Sequence, residues 1–114
     1  MFLEAAQERE DRGPFMAQRF RIQRHRNSDS LHLRLTGVFD EEAALTLMAA
    51  LNENRSLATK FIVHTATLDR VLDEGAQLFR TRLKSLDRSG VEIIFTGKTA
   101  ERIVMKGQGI RMIK

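Results

Sequence analysis

The chain has 114 residues, of which 42% are hydrophobic and 30% are charged, a composition typical of one soluble globular domain. It contains no cysteine, which excludes disulfides, thiolate metal sites and cysteine nucleophiles. The formal net charge is +4, yet most basic residues are dispersed, and no apolar run is long enough for a signal peptide or a membrane span. We therefore expect a cytoplasmic protein without membrane insertion.

The first part of the sequence predicts an arm followed by a β-hairpin. Residues 1–14 mix charged residues with alanine and end at the only proline, so we expect a flexible arm or a short helix. Apolar and basic residues alternate from Phe15, which predicts a half-exposed strand. The turn formers at 27–30 separate it from a second alternating run at 31–36, and so short a loop predicts antiparallel pairing.

Helical and apolar patterns alternate along the rest of the chain. Asp40 is the expected N-cap of a first helix at 41–54, whose acidic first turn suits the helix dipole. This helix is expected to bury Ala44, Leu45, Leu47, Met48 and Leu51. A strand covered on both faces is expected at 60–66, followed by a connecting segment at 67–72 and a second helix at 74–87. A fourth strand at 91–95, a third helix at 99–106 and a tail at 107–114 complete the chain.

This element order predicts a single small α/β domain at residues 15–106. Strand-helix-strand-helix-strand spacing requires parallel pairing with right-handed crossovers, and the opening hairpin adds an antiparallel strand. We expect a four-stranded mixed sheet with helices packed on it. Ligands and partners usually bind such sheets at the carboxyl ends of the parallel strands, where residues 37–40, 66–75 and 96–98 should gather.

Three segments carry a resemblance to a known family. Residues 33–40 read LRLTGVFD before an alanine- and leucine-rich helix, residues 63–75 read VHTATLDRVLDEG, and residues 90–97 form an apolar run after a glycine. In this order and spacing they resemble the STAS family, the domain of bacterial anti-sigma-factor antagonists and of the cytoplasmic tails of sulfate transporters. The resemblance covers roughly residues 15–105, and it implies a STAS-like fold and a non-enzymatic regulatory module without a cofactor.

The resemblance also implies a difference at one regulatory position. In the antagonists, a kinase that doubles as anti-sigma factor phosphorylates the first serine of an Asp-Ser-Ser-Gly turn. Leu72, Asp73, Glu74 and Gly75 occupy the four positions of that turn here. Asp73 stands at the phosphorylation position and cannot accept a phosphoryl group from a serine kinase. Two roles are open for Asp73: the N-cap of the second helix, or a fixed charge of about −1 that imitates phosphoserine imperfectly.

We expect a protein partner to bind around this turn and the adjacent face of the second helix. That partner is an anti-sigma-factor-like kinase or another regulatory complex, and an exposed edge strand or the hydrophobic face of the second helix could instead support a homodimer. The predicted partner-binding residues are Asp40, Thr67, Asp69, Asp73, Glu74 and Gln77.

Two alternative functions are weighed against this hypothesis. Nucleic-acid binding would use the basic clusters near the termini, but no aromatic residue that could stack on bases accompanies the second cluster. The clusters are Arg19, Arg21, Arg24 and Arg26, and Lys98, Arg102, Lys106, Arg111 and Lys114. An enzyme would use His64 with Asp69, Asp73 and Glu74, but no nucleophile or third ligand is evident. No catalytic residue, metal ligand or cofactor is therefore predicted.

Overall fold

The structure is a computed structural model that describes residues 19–105 and 109–113. Its elements in chain order are β1 (Arg21–Asn27), β2 (Ser30–Phe39), α1 (Glu41–Glu53), β3 (Lys60–His64), β4 (Leu68–Val71), α2 (Asp73–Leu83), β5 (Glu92–Thr96), α3 (Ala100–Ile103) and β6 (Arg111–Ile113). The arm predicted at 1–14, and the part of the predicted tail at 107, 108 and 114, lie outside the described residues.

The predicted fold class is confirmed. β1 pairs with β2 in antiparallel fashion, whereas β3, β5 and β6 follow in parallel, giving the order β1-β2-β3-β5-β6. The opening hairpin turns through Ser28 and Asp29 between the paired residues Asn27 and Ser30, as the turn formers predicted. Ser28 adopts a φ of 60°, a value that two-residue hairpin loops commonly require.

The sheet has two more strands than the four that were predicted. β4 lies in the predicted connecting segment and pairs in parallel with the end of β2, where a register shift occurs between Gly37 and Val38. β6 pairs with β5 inside the segment that was predicted as a tail. Both strands are short, with four and three residues, so neither offers enough alternation to be recognised from its own sequence.

The helices pack on one face of the sheet. Alternate strand residues join the helices in one buried core, and the largest side chains include Phe39, Phe61, Phe79 and Phe95. The prediction that the third strand is covered on both faces is wrong, because Phe61 and Val63 are buried while Ile62 is only partly buried on the opposite face. Leu45 was also expected in the core but is 44% exposed, because Ala43 and Ala50 complete the buried stripe of α1 instead.

The helix bounds follow the prediction for α1 and are shorter for the other two. Asp40 caps α1, as expected. α2 ends at Leu83, because the following N–H groups of Ser85 and Leu86 bond to carbonyls three residues earlier and form turns. α3 has only four residues, since Val104 is already extended at φ −122° and ψ 156°.

Candidate functional site

The N-terminus of α2 is fixed against the junction between β2 and α1. Gly75 is buried there, and a Cβ at this position would lie 2.5 Å from the carbonyl oxygen of Asp40 and 2.7 Å from that of Phe39. The backbone N–H of Leu72 donates a hydrogen bond to the Phe39 carbonyl at 3.0 Å. Only glycine avoids overlap with these carbonyl groups. Because Gly75 has no side chain, the N-termini of α1 and α2 can lie side by side.

Asp40 has a structural role at this junction. Its Oδ1 atom accepts a hydrogen bond of 2.9 Å from the backbone N–H of Ala43, and its extended backbone conformation is typical of an N-cap. The side chain is half-buried. Of the six predicted partner-binding residues, Asp40 is thus the one whose carboxylate is already used to begin a helix.

The prediction that Asp73 is the N-cap of α2 is wrong. Leu72 is the N-cap, with φ −89° and ψ 142°, and Asp73 is the first helical residue. Leu72 continues the extended path of β4 through its bond to Phe39, so the helix begins one residue earlier than predicted. Leucine has no hydrogen-bond acceptor in its side chain, so no side chain caps the N-terminus of α2. Asp73 and Glu74 stabilise this helix end only through the helix dipole.

The other predicted residues surround this turn. Thr67 donates a hydrogen bond from its Oγ1 to the Leu35 carbonyl at 2.7 Å, which joins the chain after β3 to β2. Asp69 is exposed on β4, and Gln77 is exposed on α2 one turn after Asp73. The segments that follow β2 and β3 therefore meet, as the rule for parallel strands predicted.

Exposed carboxylates give this surface its character. Asp69, Asp73 and Glu74 are exposed, and within 19–105 and 109–113 their carboxylates form no hydrogen bond or ion pair. Glu41 and Glu42 in the first turn of α1 are exposed on the neighbouring helix end. From the sequence, Glu41 and Glu42 were expected only to stabilise the start of α1 through the helix dipole. Gly75 was the signal that could have placed them on this surface, because a glycine there indicates that another backbone lies close by.

His64 does not join these carboxylates. Its Nδ1 lies 2.9 Å from Thr96 Oγ1 and its Nε2 lies 2.9 Å from His32 Nδ1, so both ring nitrogens are engaged on the open face of the sheet. Burial, and then the nearby charges of His32 and Arg34, hold the pKa of His64 below its ordinary value. Within the described residues, His64 therefore makes no hydrogen bond to Asp69, Asp73 or Glu74, and the structure does not bring the candidate acid-base group together.

Other candidate chemistry is also limited in the described part of the chain. No cluster of three or more His, Asp or Glu residues that could hold a metal ion occurs there. The basic residues of β1 are divided by strand alternation, with Arg21 on the face of Thr36 and Arg24 on the opposite face with Leu33. The first cluster is therefore split between two faces, whereas Lys106 and Lys114 of the second lie outside the described residues.

The architecture defines the class of the protein as a small α/β domain with a SpoIIAA-like fold. A solved structure with this fold is the anti-sigma factor antagonist SpoIIAA in its unphosphorylated form, with a TM-score of 0.60, 18% identity, and coverage of 84% of this chain and 88% of that chain. Another is an uncharacterized DUF3478-family protein from Shewanella loihica PV-4, described as having a SpoIIAA-like fold, with a TM-score of 0.50, 10% identity and 90% coverage of each chain.

No protein-family model matches the chain. No curated protein matches it either. At 18% and 10% identity the solved structures establish the fold, so a function has to be argued from the site. None of the helices among residues 19–105 and 109–113 has the length and apolar character that a membrane span needs.

Proposed function

We propose that this protein is a non-enzymatic regulatory module that binds a protein partner through the acidic turn surface, and that it resembles an anti-sigma-factor antagonist. We define the acidic turn surface as the predicted residues together with the first turn of α1. Its members are Asp40, Glu41, Glu42, Thr67, Asp69, Asp73, Glu74 and Gln77. The partner is an anti-sigma-factor-like kinase or another regulatory protein, and the compartment we expect is the cytoplasm of a bacterium.

The observation that carries this proposal is a rigid platform of exposed, unpaired acids. Asp69, Asp73 and Glu74 have no charged partner within the described residues, although the chain carries a net charge of +4. Asp73 and Glu74 favour the start of α2 through the helix dipole, but no ion pair within residues 19–105 and 109–113 uses any of the three carboxylates. The arrangement suits recognition, since the close packing of Gly75 and the hydrogen bond from Leu72 to Phe39 fix the backbone that carries Asp73 and Glu74.

The charge of this surface indicates the chemistry of the partner. Exposed carboxylates at helix N-termini complement a basic patch, and such complementarity raises association rates and selects against wrong partners. We therefore expect binding that weakens as the salt concentration rises. The likeness to SpoIIAA supports the fold on which this surface is built, and the partner is a proposal.

The same turn bears on regulation. No serine or threonine occurs between Leu72 and Gly75, so a serine kinase has no acceptor in the turn. Asp73 provides a permanent charge of about −1, whereas phosphoserine carries about −1.5 to −2. We propose that the module stays in one binding state where a phosphorylatable homologue would alternate between two.

Charge reversal on the acidic turn surface tests the proposal. The wild-type protein would be used to isolate a partner from its own organism, and the purified partner would then be titrated in a calorimeter with Glu74→Arg and Asp73→Ser. A matched control is Glu53→Arg, which reverses an exposed charge at the far end of α1. We expect Glu74→Arg to weaken binding by about 10-fold or more and Glu53→Arg to have little effect.

The contrary outcomes are equally specific. Equal affinity of Glu74→Arg, Asp73→Ser and the wild type for the partner would remove this surface from the account. Specific retardation of a nucleic acid that persists at moderate salt would support the basic alternative instead, because non-specific electrostatic binding weakens steeply with salt. A metal or cofactor that copurifies in a fixed ratio would favour an enzyme.

The homodimer remains a second form of partner. The hydrophobic face of α2 cannot support it, because Ala76, Phe79 and Leu83 are buried in the core of the same chain. β1 is the edge that can, since all but one of its residues are exposed and it pairs only with β2 among the described strands. Sedimentation of the purified protein over a range of concentrations measures this directly.

A further inference from the structure

The face of the sheet opposite the core carries a row of histidines that the proposed function does not use. Strand alternation buries Leu31, Leu33 and Leu35 and places His32 and Arg34 on the other face. His25 of β1 stands opposite His32, and His64 of β3 is paired with Arg34. Three histidines and an arginine that lie far apart in sequence therefore share one surface.

The histidines form a connected chain. The His32 and His64 rings are nearly parallel, with centroids 5.1 Å apart and an interplanar angle of 7°. His32 Nδ1 lies 2.9 Å from His64 Nε2, and His64 Nδ1 lies 2.9 Å from Thr96 Oγ1. The His25 ring is 6.3 Å from that of His32. The remaining ring nitrogen of His32, Nε2, has no hydrogen-bond partner among the described residues.

An open hollow of about 700 Å³ lies over this chain of rings. Its volume is in the range of small-molecule sites. None of the described residues that line it carries a carboxylate, and all except Arg24, which strand alternation places on the Leu33 face of β1, have their side chains on this face. The lining residues are Gln23, Arg24, His25, His32, Arg34 and His64.

We propose that this hollow binds a small phosphate-bearing anion, which Arg34 and the imidazoles of His32 and His25 hold through charge-assisted hydrogen bonds. A guanidinium matches the oxygens of a phosphate in a bidentate manner, and an imidazolium adds a directed donor. The positive lining without a carboxylate favours an anion, and the limited volume favours a small ligand over a macromolecule. This site is separate from the proposed function, because it lies on the face of the sheet opposite the helices and the core.

The direction of the hydrogen bonds between Thr96, His64 and His32 decides whether His32 can donate to the anion. If Thr96 donates to His64 and His64 donates to His32, the Nε2 atom of His32 carries a proton and can donate to an oxygen of the ligand. If the chain runs in the opposite direction, the neutral His32 presents a lone pair that repels the anion. The bound anion thus selects the first arrangement, in which His32 Nε2 donates to an oxygen of the ligand.

The other charged groups on this face are mainly basic. Lys60 lies in the same row of the sheet as Glu92, and Arg21 lies opposite Thr36. Glu92 is the acid on this face of the described strands, and its carboxylate is paired with Arg111 at 3.4 Å. Arg21, Arg34, Lys60 and Arg111 thus place positive charges on this face of β1, β2, β3 and β6, and Glu92 offsets them in part.

Titration of the whole chain with inorganic phosphate tests this inference. Imidazole NMR signals would be followed at one fixed pH, with sodium chloride at equal ionic strength as the control. We expect saturable shifts of the His32 and His64 signals with phosphate and little change with chloride at the same ionic strength. A titration with adenosine monophosphate tests whether the site prefers a phosphomonoester to free phosphate. A titration with acetate tests whether a carboxylate binds equally well.

Two variants separate the site from general charge. Arg34→Gln changes an exposed side chain and should weaken phosphate binding about 10-fold, whereas Arg82→Gln removes the same charge from the exposed surface of α2 and should not. The inference is overturned if phosphate and chloride give the same shifts, if Arg34→Gln and Arg82→Gln bind phosphate equally, or if only a long oligonucleotide binds. None of these results bears on partner binding at the acidic turn surface.

Discussion

The Gly75 contact gives the sharpest quantitative prediction. In an ordinary helix, glycine to alanine stabilises by about 1 kcal/mol. Here the Cβ of an alanine would meet the Asp40 carbonyl oxygen at 2.5 Å, which is 0.9 Å short of the 3.4 Å at which ordinary contact begins. The Asp40 carbonyl carbon, at 2.6 Å, and the Phe39 carbonyl oxygen, at 2.7 Å, are equally close. All three atoms are main chain, so no flexible side chain can move aside.

Relief of this overlap requires the start of α2 to move away from the β2–α1 junction. Overpacking of this kind costs about 1–3 kcal/mol. The displacement also strains the hydrogen bond from Leu72 N–H to the Phe39 carbonyl, which contributes about 0.5–1.5 kcal/mol. After the gain in helix propensity, we expect Gly75→Ala to lower the free energy of unfolding by about 1–3 kcal/mol.

Urea denaturation measures the effect, with a lower midpoint at an unchanged m-value as the expected result. Gln77→Ala is the matched control, because it lies on the same helix with an exposed side chain and should change stability little. If Gly75→Ala were as stable as the wild type or more stable, the close approach of the two helix ends would be incorrect. The rigid platform assigned to the acidic turn surface would then lose its basis.

Three further outcomes follow from the structure. Because α2 lacks a side-chain cap, Leu72→Ser should exceed Leu72→Ala in stability by about 0.5–2 kcal/mol, and equal urea midpoints would contradict this. Phe79→Ala, in the centre of the aromatic core, should cost about 3–5 kcal/mol in the same assay, whereas Leu45→Ala on the exposed side of α1 should cost far less. The pKa of His64 lies below 6.5 in the folded chain, so the unfolded chain binds more protons as the pH falls through 6.5 and stability should decrease there. Urea midpoints measured across that pH range should change less in His64→Gln, and an unchanged pH dependence would show that another group is responsible.

Local features of the sequence were sufficient for several elements. Asp40 lies three residues before the N–H that it caps, so the start of α1 depends on a hydrogen bond within one short segment. The hairpin depends on Ser28 and Asp29 alone, and the period of Ala76, Phe79 and Leu83 was enough to place α2 against the sheet. The resemblance at residues 33–40, 63–75 and 90–97 led to the fold that the solved structures share.

The candidate site was predicted in its residues and only partly in its geometry. Asp69, Asp73 and Glu74 are exposed at the predicted turn, but Asp73 is not the cap. The start of α2 is set by the pairing of β4 with the end of β2, and that pairing is a contact between distant parts of the chain. No pattern within residues 67–75 reports it.

The amino-acid sequence by itself determined which residues favour helix, turn or strand, because capping, turn conformation and periodicity act over a few neighbouring residues. The tertiary structure alone decided which distant residues meet. Gly75 reaches Asp40, β6 joins β5, and His32 reaches His64 across the sheet, because strand register and helix packing bring these positions together. The residues of the acidic turn surface could be named from the sequence, whereas its geometry and the whole histidine surface depend on these tertiary contacts.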